Sequence, residues 1–156
     1  MAVLVLIVVT LVGGNRFATR SATVDAARAS KVVSGLLNNV YRAFDLDDEE
    51  MIRAAIERSV TGDGFTETLV EVGHGLELAG ENDGRTTVGE ILLTGMVMRD
   101  SEVGIEARCT WTVTTRTGHW GHVHRRVYQF VADLRIEPIE GAWQITGLDF
   151  LSEQRL

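Results

Sequence analysis

Residues 105–136 read IEARCTWTVTTRTGHWGHVHRRVYQFVADLRI, and the spacing of apolar side chains on either side of the central glycines decides the fold. Ile105, Ala107, Cys109, Trp111 and Val113 recur at every second position, and so do Tyr128, Phe130, Ala132, Leu134 and Ile136. A period of two marks strands with one face in a core, and two such runs about a short polar stretch form an antiparallel hairpin. The first strand is expected to end at Thr115 and the next to begin at His122. Residues 116–121 are then the loop, with Gly118 and Gly121 free to take positive φ. Parity along the descending strand puts His122, His124 and Arg126 on the face of Tyr128 and Phe130. Val123, Arg125, Val127, Gln129, Val131 and Asp133 take the other face. A one-residue bulge near Gly121 would reverse the assignment.

Working outward, residues 88–98 and 143–150 show the same strand character. Gly141 supplies a turn, and the only proline, Pro138, ends the third strand where a missing N–H is tolerable. Four strands joined by short turns predict a meander. Upstream of residue 85 the period is helical: Val33, Leu36, Leu37, Val40, Tyr41 and Phe44 stripe a first long helix within residues 21–44. Asp47 is positioned to cap a second helix, with Glu50 three residues on, so the acidic run from Asp45 to Glu50 reads as helix capping on a solvated face. Ile52, Ala55, Ile56 and Val60 continue its stripe until residues 61–64 break it. Phe65, Leu69, Val72 and Leu76 predict a third helical segment over residues 65–78, weakened by Gly73 and Gly75 around His74.

Composition narrows the function. The 156 residues suffice for one domain, 45% hydrophobic and 24% charged content is globular, and a net charge of −7 argues against nucleic acid as a partner. Cys109, the single cysteine, forbids an intramolecular disulfide and alternates with core positions, so it reads as a small buried side chain.

Residues 1–20 form a separate segment, opening with the uncharged run MAVLVLIVVTLVGG. The run is shorter than the roughly 20 residues of a spanning helix. It fits the remainder of a membrane helix, a signal-peptide core, or an apolar first element of the domain; no Lys or Arg precedes it, which weakens the signal-peptide reading. A membrane tether is the expectation, with the single α+β domain occupying residues 21–156. Arg16, Arg20, Arg28 and Lys31 follow the run, and such charges favour the cytoplasmic side.

Helices first and strands afterwards predict an α+β domain with N-terminal helices packed on a curved, mainly antiparallel four-stranded sheet. This order, and the segment VYRAFDLDDEEMIRAAI at residues 40–56, resembles the NTF2-like (cystatin-like) superfamily over residues 26–151. The resemblance implies a cone whose cavity lies between sheet and helices, a sheet face that dimerises, and relatives that include isomerases, dehydratases and hydrolases. Residues 41–45, 59–63, Trp111 with GHWGHVHRR, and 153–156 also resemble the soluble parts of uncharacterised bacterial membrane-associated proteins.

Three functional expectations follow. The first is a membrane-tethered, non-catalytic binding or assembly domain, meeting a protein partner or its own copy through the sheet. Its ligand site would be a cavity mouth made of His122, His124, Arg126 and Tyr41, with Cys109 nearby. The second is a metal-binding accessory module in which His119, His122 and His124 hold Zn²⁺, Cu²⁺ or Ni²⁺, ions that neutral imidazoles suit. The third is a small enzyme using His122 or His124 as general acid or base, with Asp149 or Tyr41 as its partner. Arg125 and Arg126 suit an anionic ligand or a phospholipid head group, although their parities differ.

Overall fold

The computed structural model describes residues 24–62, 66, 68, 69, 72, 73, 85–119 and 121–156. The apolar start, His74 and Trp120 lie outside the described residues, as does most of the expected third helix. Of that segment, Thr66, Thr68, Leu69, Val72 and Gly73 are described and helical.

Helix α1, Ala26–Ala43, begins where Asp25 caps it, its carboxylate accepting from the Arg28 N–H at 2.8 Å. Ala29, Val33, Leu36, Leu37, Val40 and Tyr41 then form one buried stripe. Helix α2, Glu49–Glu57, is capped by Asp48, which accepts from the Met51 N–H at 3.0 Å. The acidic run is capping, as expected, but the cap sits one residue later than Asp47. Ile52, Ala55 and Ile56 are its buried face. Val60, expected to extend that stripe, instead bridges the sheet: the Thr61 N–H donates to the Ile145 carbonyl at 2.9 Å and the Ile145 N–H to Ser59 at 2.8 Å.

The sheet is an antiparallel meander in the order β1-β2-β3-β4: β1 Arg85–Arg99, β2 Ile105–His119, β3 His122–Ile139 and β4 Ala142–Arg155. β1, β3 and β4 outrun their sequence estimates, whereas β2, expected from Val103 to Thr115, starts two residues later and runs on to His119. Pro138 lies within β3 opposite Trp143 rather than ending it; the pairing with β2 stops at Ile136, so this end of β3 has a strand neighbour on the β4 side alone and tolerates a missing N–H. Gly104, at φ +77° in the β1–β2 turn, meets the Ile136 carbonyl where any Cβ would stand, so only glycine fits.

Helix α1 lies along β1. Its start is near the β1–β2 turn, where Val24 lines a groove with Met98, Arg99 and Gly104. Its end is pinned beside the first β1 bulge: Arg42 donates to the carbonyls of Val88 at 2.6 Å and Gly89 at 2.8 Å, and Asp45 accepts from the Val88 N–H at 2.8 Å. These two side chains satisfy an edge-strand backbone that the bulge would leave unpaired.

Under the helices sits an aromatic cluster. Trp111 and Phe130 stack at 5.6 Å between centroids, Tyr41 lies 6.0 Å from Phe130, and Phe150 lies 6.2 Å from both Trp111 and Phe130. Trp111 and Phe130 are completely shielded, and each such side chain contributes on the order of 2–3 kcal/mol through burial. No described helix is long and apolar enough to cross a membrane.

Candidate functional site

The β2–β3 hairpin keeps an unbroken register from Ile105 opposite Ile136 to His119 opposite His122. The loop expected over residues 116–121 is therefore mostly strand, and the chain turns at Gly121 between the paired His119 and His122. Gly121 has φ +80°, whereas Gly118 is an ordinary strand residue between Arg85 and Val123. Two-residue turns suit the twist of paired strands, and the threonine-rich run up to Thr117 has the β-propensity to continue the ladder.

Without a bulge, the parity expected for β3 holds. His122, His124 and Arg126 share the face of Tyr128 and Phe130, while Arg125 takes the outer face. Depth is where the expectation of a cavity mouth fails. His122 and His124 are exposed and Arg126 is half-buried; burial becomes complete only from Tyr128 onward. Thr117 stands opposite His124 in the register. His119 pairs with His122 in register, but its side chain lies outside what is described. Among the described residues no group of three or more His, Cys, Asp or Glu side chains is placed to hold a metal ion.

Tyr41 does not join the histidines. Its hydroxyl accepts from the Trp111 indole N–H at 3.1 Å inside the core, and burial pushes its pKa far above the usual phenol value. A hydroxyl so held is a structural acceptor, unsuited to proton transfer near neutrality. Cys109 is also fully buried, its thiol pushed up to about 11 by burial first and by the charge of Asp133 second. It is a core side chain, as its alternation predicts. Asp149 is on the outer face opposite Asp133, nine residues along β3 from His124, and so roughly 30 Å from it. It cannot serve as the histidines' partner. Three grooves lined by described residues, around Arg42 and Arg58, around Asp133 and Asp149, and around Val24 and Met98, include no histidine.

The outer sheet face has two zones. At the end carrying the β1–β2 turn, Asp133 accepts from Arg108 Nε and Nη2 and from Arg99 Nη2, each at 2.9 Å, and Arg135 lies 3.6 Å from Glu106. The Arg108 hydrogen bond, with Arg99 beside it, lowers the Asp133 pKa to about 2 against a smaller opposing effect of desolvation. Toward the hairpin the face changes to threonines 110, 112 and 114 with Gln129, Val127 and Val131. Leu92 on this face is 47% exposed, Val97 69% and Val123 71%. At the tip Arg116 and Arg125 are exposed cross-strand neighbours, and neither forms an ion pair with a described residue.

Two features escaped the sequence. The Tyr128 hydroxyl is buried without a hydrogen-bond partner, although Tyr128 reads simply as a member of the apolar series. Its hydroxyl was the available signal, since a phenol inside a core requires a partner. Arg155 faces Tyr128 across the β3–β4 pair, but strand β4 had been expected to end at Phe150.

No protein-family model matches the chain, and no match is found among curated proteins. Among solved structures, the chain is similar to the intermembrane space region of the chloroplast protein ARC6, with a TM-score of 0.52 and 13% identity over 83% of this chain and 98% of that one. At that identity the likeness extends to the fold alone: two helices on an open, four-stranded antiparallel sheet.

Proposed function

We propose that this chain is a membrane-tethered, non-catalytic binding and assembly domain of the NTF2-like kind, whose open sheet face packs against a second copy of itself. One observation carries this reading: four strands of 14–18 residues present a face that no described element covers and from which Leu92 and Val97 protrude. Strands about 4.8 Å apart over about ten residues each present a plane of roughly 600 Å² before side-chain relief, close to the about 800 Å² per partner of a standard interface. Charge favours a copy of the same chain. Among the described residues, Arg116 and Arg125 form no ion pair at one end, and Asp149 forms none at the other. A two-fold axis that stacks the faces head to tail brings these groups together.

The aromatic interior favours binding over catalysis, because the expected partners of an acid–base histidine are taken or distant. The tether rests on the apolar run at residues 1–14. Helix α1 starts at the end of the sheet opposite the hairpin, so a tethered domain would carry its histidine tip roughly 40 Å from the membrane.

Cross-linking tests the assembly. Thr112→Cys, at the centre of the face, is expected to form a disulfide dimer under mild oxidation, while Val103→Cys in the β1–β2 turn stays monomeric. Equal cross-linking of both, or of neither, would remove support for the stacked arrangement. For the tether, the full chain should resist alkaline extraction from membranes, and its release would refute that part.

A further inference from the structure

The Tyr128 hydroxyl is the one buried side-chain oxygen or nitrogen without a hydrogen-bond partner among the described residues. Burying such a group is destabilising unless something donates to it or accepts from it. Its neighbours on the strand face are unusual. Arg155 is its cross-strand partner and Arg126 lies two residues before it, so the two arginines are diagonal neighbours flanking the phenol. Neither guanidinium forms an ion pair with a described residue, in a chain whose net charge is −7. Glu153, two residues before Arg155 on the same face, makes no ion pair with either.

We infer that Arg126, Tyr128 and Arg155 form an anion site that takes a phosphoryl group. Two guanidinium forks match the spacing of phosphate oxygens, and the phenol supplies a neutral donor from beneath them. Two cations suit a dianionic phosphomonoester better than a single carboxylate. Arg155 is exposed at the end of the edge strand β4 and Arg126 is half-buried, so the ligand enters by displacing the Arg155 side chain. The site occupies the helix-side face of the sheet and is independent of the proposed interface between copies on the opposite face.

The test is calorimetric titration of the full chain in an uncharged maltoside detergent at constant ionic strength, with inorganic phosphate in one arm and phosphatidic acid added to the micelles in the other. The expected result is saturable binding weakened about tenfold or more by Arg126→Met or Arg155→Met. Arg125→Met, on the other face, leaves it unchanged. Glu153→Gln tightens it by removing a negative charge from the same strand face. Tyr128→Phe both weakens binding and raises Tm, because it deletes a ligand donor that is unsatisfied in the empty protein. Saturation by phosphate identifies a soluble ligand, and a response confined to phosphatidic acid identifies a lipid head group; either supports the site. Absence of binding in both arms would overturn it. So would equal loss in Arg125→Met, or a Tyr128→Phe variant that gains stability and binds as before. Leu92→Glu with Val97→Glu, which disrupts the proposed face between copies, is expected to bind phosphate normally, so failure of one proposal is distinguishable from failure of the other.

Discussion

Strand β3 passes through two environments without breaking its alternation, and the contrast between them explains the molecule. From Tyr128 to Ile136 every second side chain is buried, and Phe130 is wedged among Trp111, Tyr41 and Phe150. From His122 to Arg126 the same face rises into solvent. Direction is a property of the strand, but depth depends on what lies above it. Here α1 ends and turns at Phe44, with Arg42 and Asp45 fastened to Val88 and Gly89. The sheet runs on beyond that point, so its middle is covered and its hairpin end is open to solvent.

Large-to-small substitutions probe this division most strongly. Phe130→Ala is expected to cost about 3–5 kcal/mol in urea unfolding, whereas His122→Ala and His124→Ala each stay within about 0.5 kcal/mol. A hairpin histidine that costs as much as the core phenylalanine would erase the distinction.

The two tyrosines sharpen it with opposite signs. Tyr41→Phe strands the buried Trp111 N–H and should cost about 1–3 kcal/mol, while Tyr128→Phe removes an unsatisfied hydroxyl and should stabilise by about 1 kcal/mol. Chemical denaturation of both variants checks the pair, and a shared sign would contradict the assignment of one hydroxyl as bonded and the other as orphaned. Next in size is Arg42→Met, which frees two carbonyls at the β1 bulge. It should cost about 1–2 kcal/mol and speed hydrogen exchange in residues 86–93 while leaving 105–115 protected.

The smallest effect concerns the ionic end of the outer face. The Asp133 pKa is held near 2 in the folded protein, below its unfolded value of about 3.9. Its stabilisation is therefore fully present above about pH 4 and disappears as the pH falls toward about 2. Thermal melts of Asp133→Asn and the unmodified protein should differ at neutral pH and converge in acid; a gap that widens on acidification would reverse the sign.

Much of the fold was legible because it depends on periodicity. The two-residue alternation of Ile105 to Val113 and Tyr128 to Ile136 identified the central strands, and the spacing from Val33 to Phe44 identified α1. The strand ends were harder. Thr117, Gly118 and His119 resemble loop residues, yet they complete a hairpin because a two-residue turn closes at Gly121. The extension of β4 to Arg155 was similarly hidden, since Ser152, Glu153 and Gln154 carry no apolar alternation and are held by pairing with β3. For the candidate site, parity correctly assigned His122, His124 and Arg126 to one face. It could not say where the helical cover stops, nor that Tyr41 would bond to Trp111, 70 residues away in sequence. The Arg126, Tyr128 and Arg155 grouping needed the β3–β4 register, which no local pattern specifies.

The stacked-sheet proposal is tested most directly by sedimentation equilibrium of the full chain in density-matched maltoside micelles, comparing the unmodified protein with Leu92→Glu, Val97→Glu. A concentration-dependent dimer that the double variant converts to monomer, with helix and sheet signals by circular dichroism unchanged, is the predicted result. A monomer at every concentration, or a dimer indifferent to both substitutions, would contradict the assignment of the open face as the surface between copies.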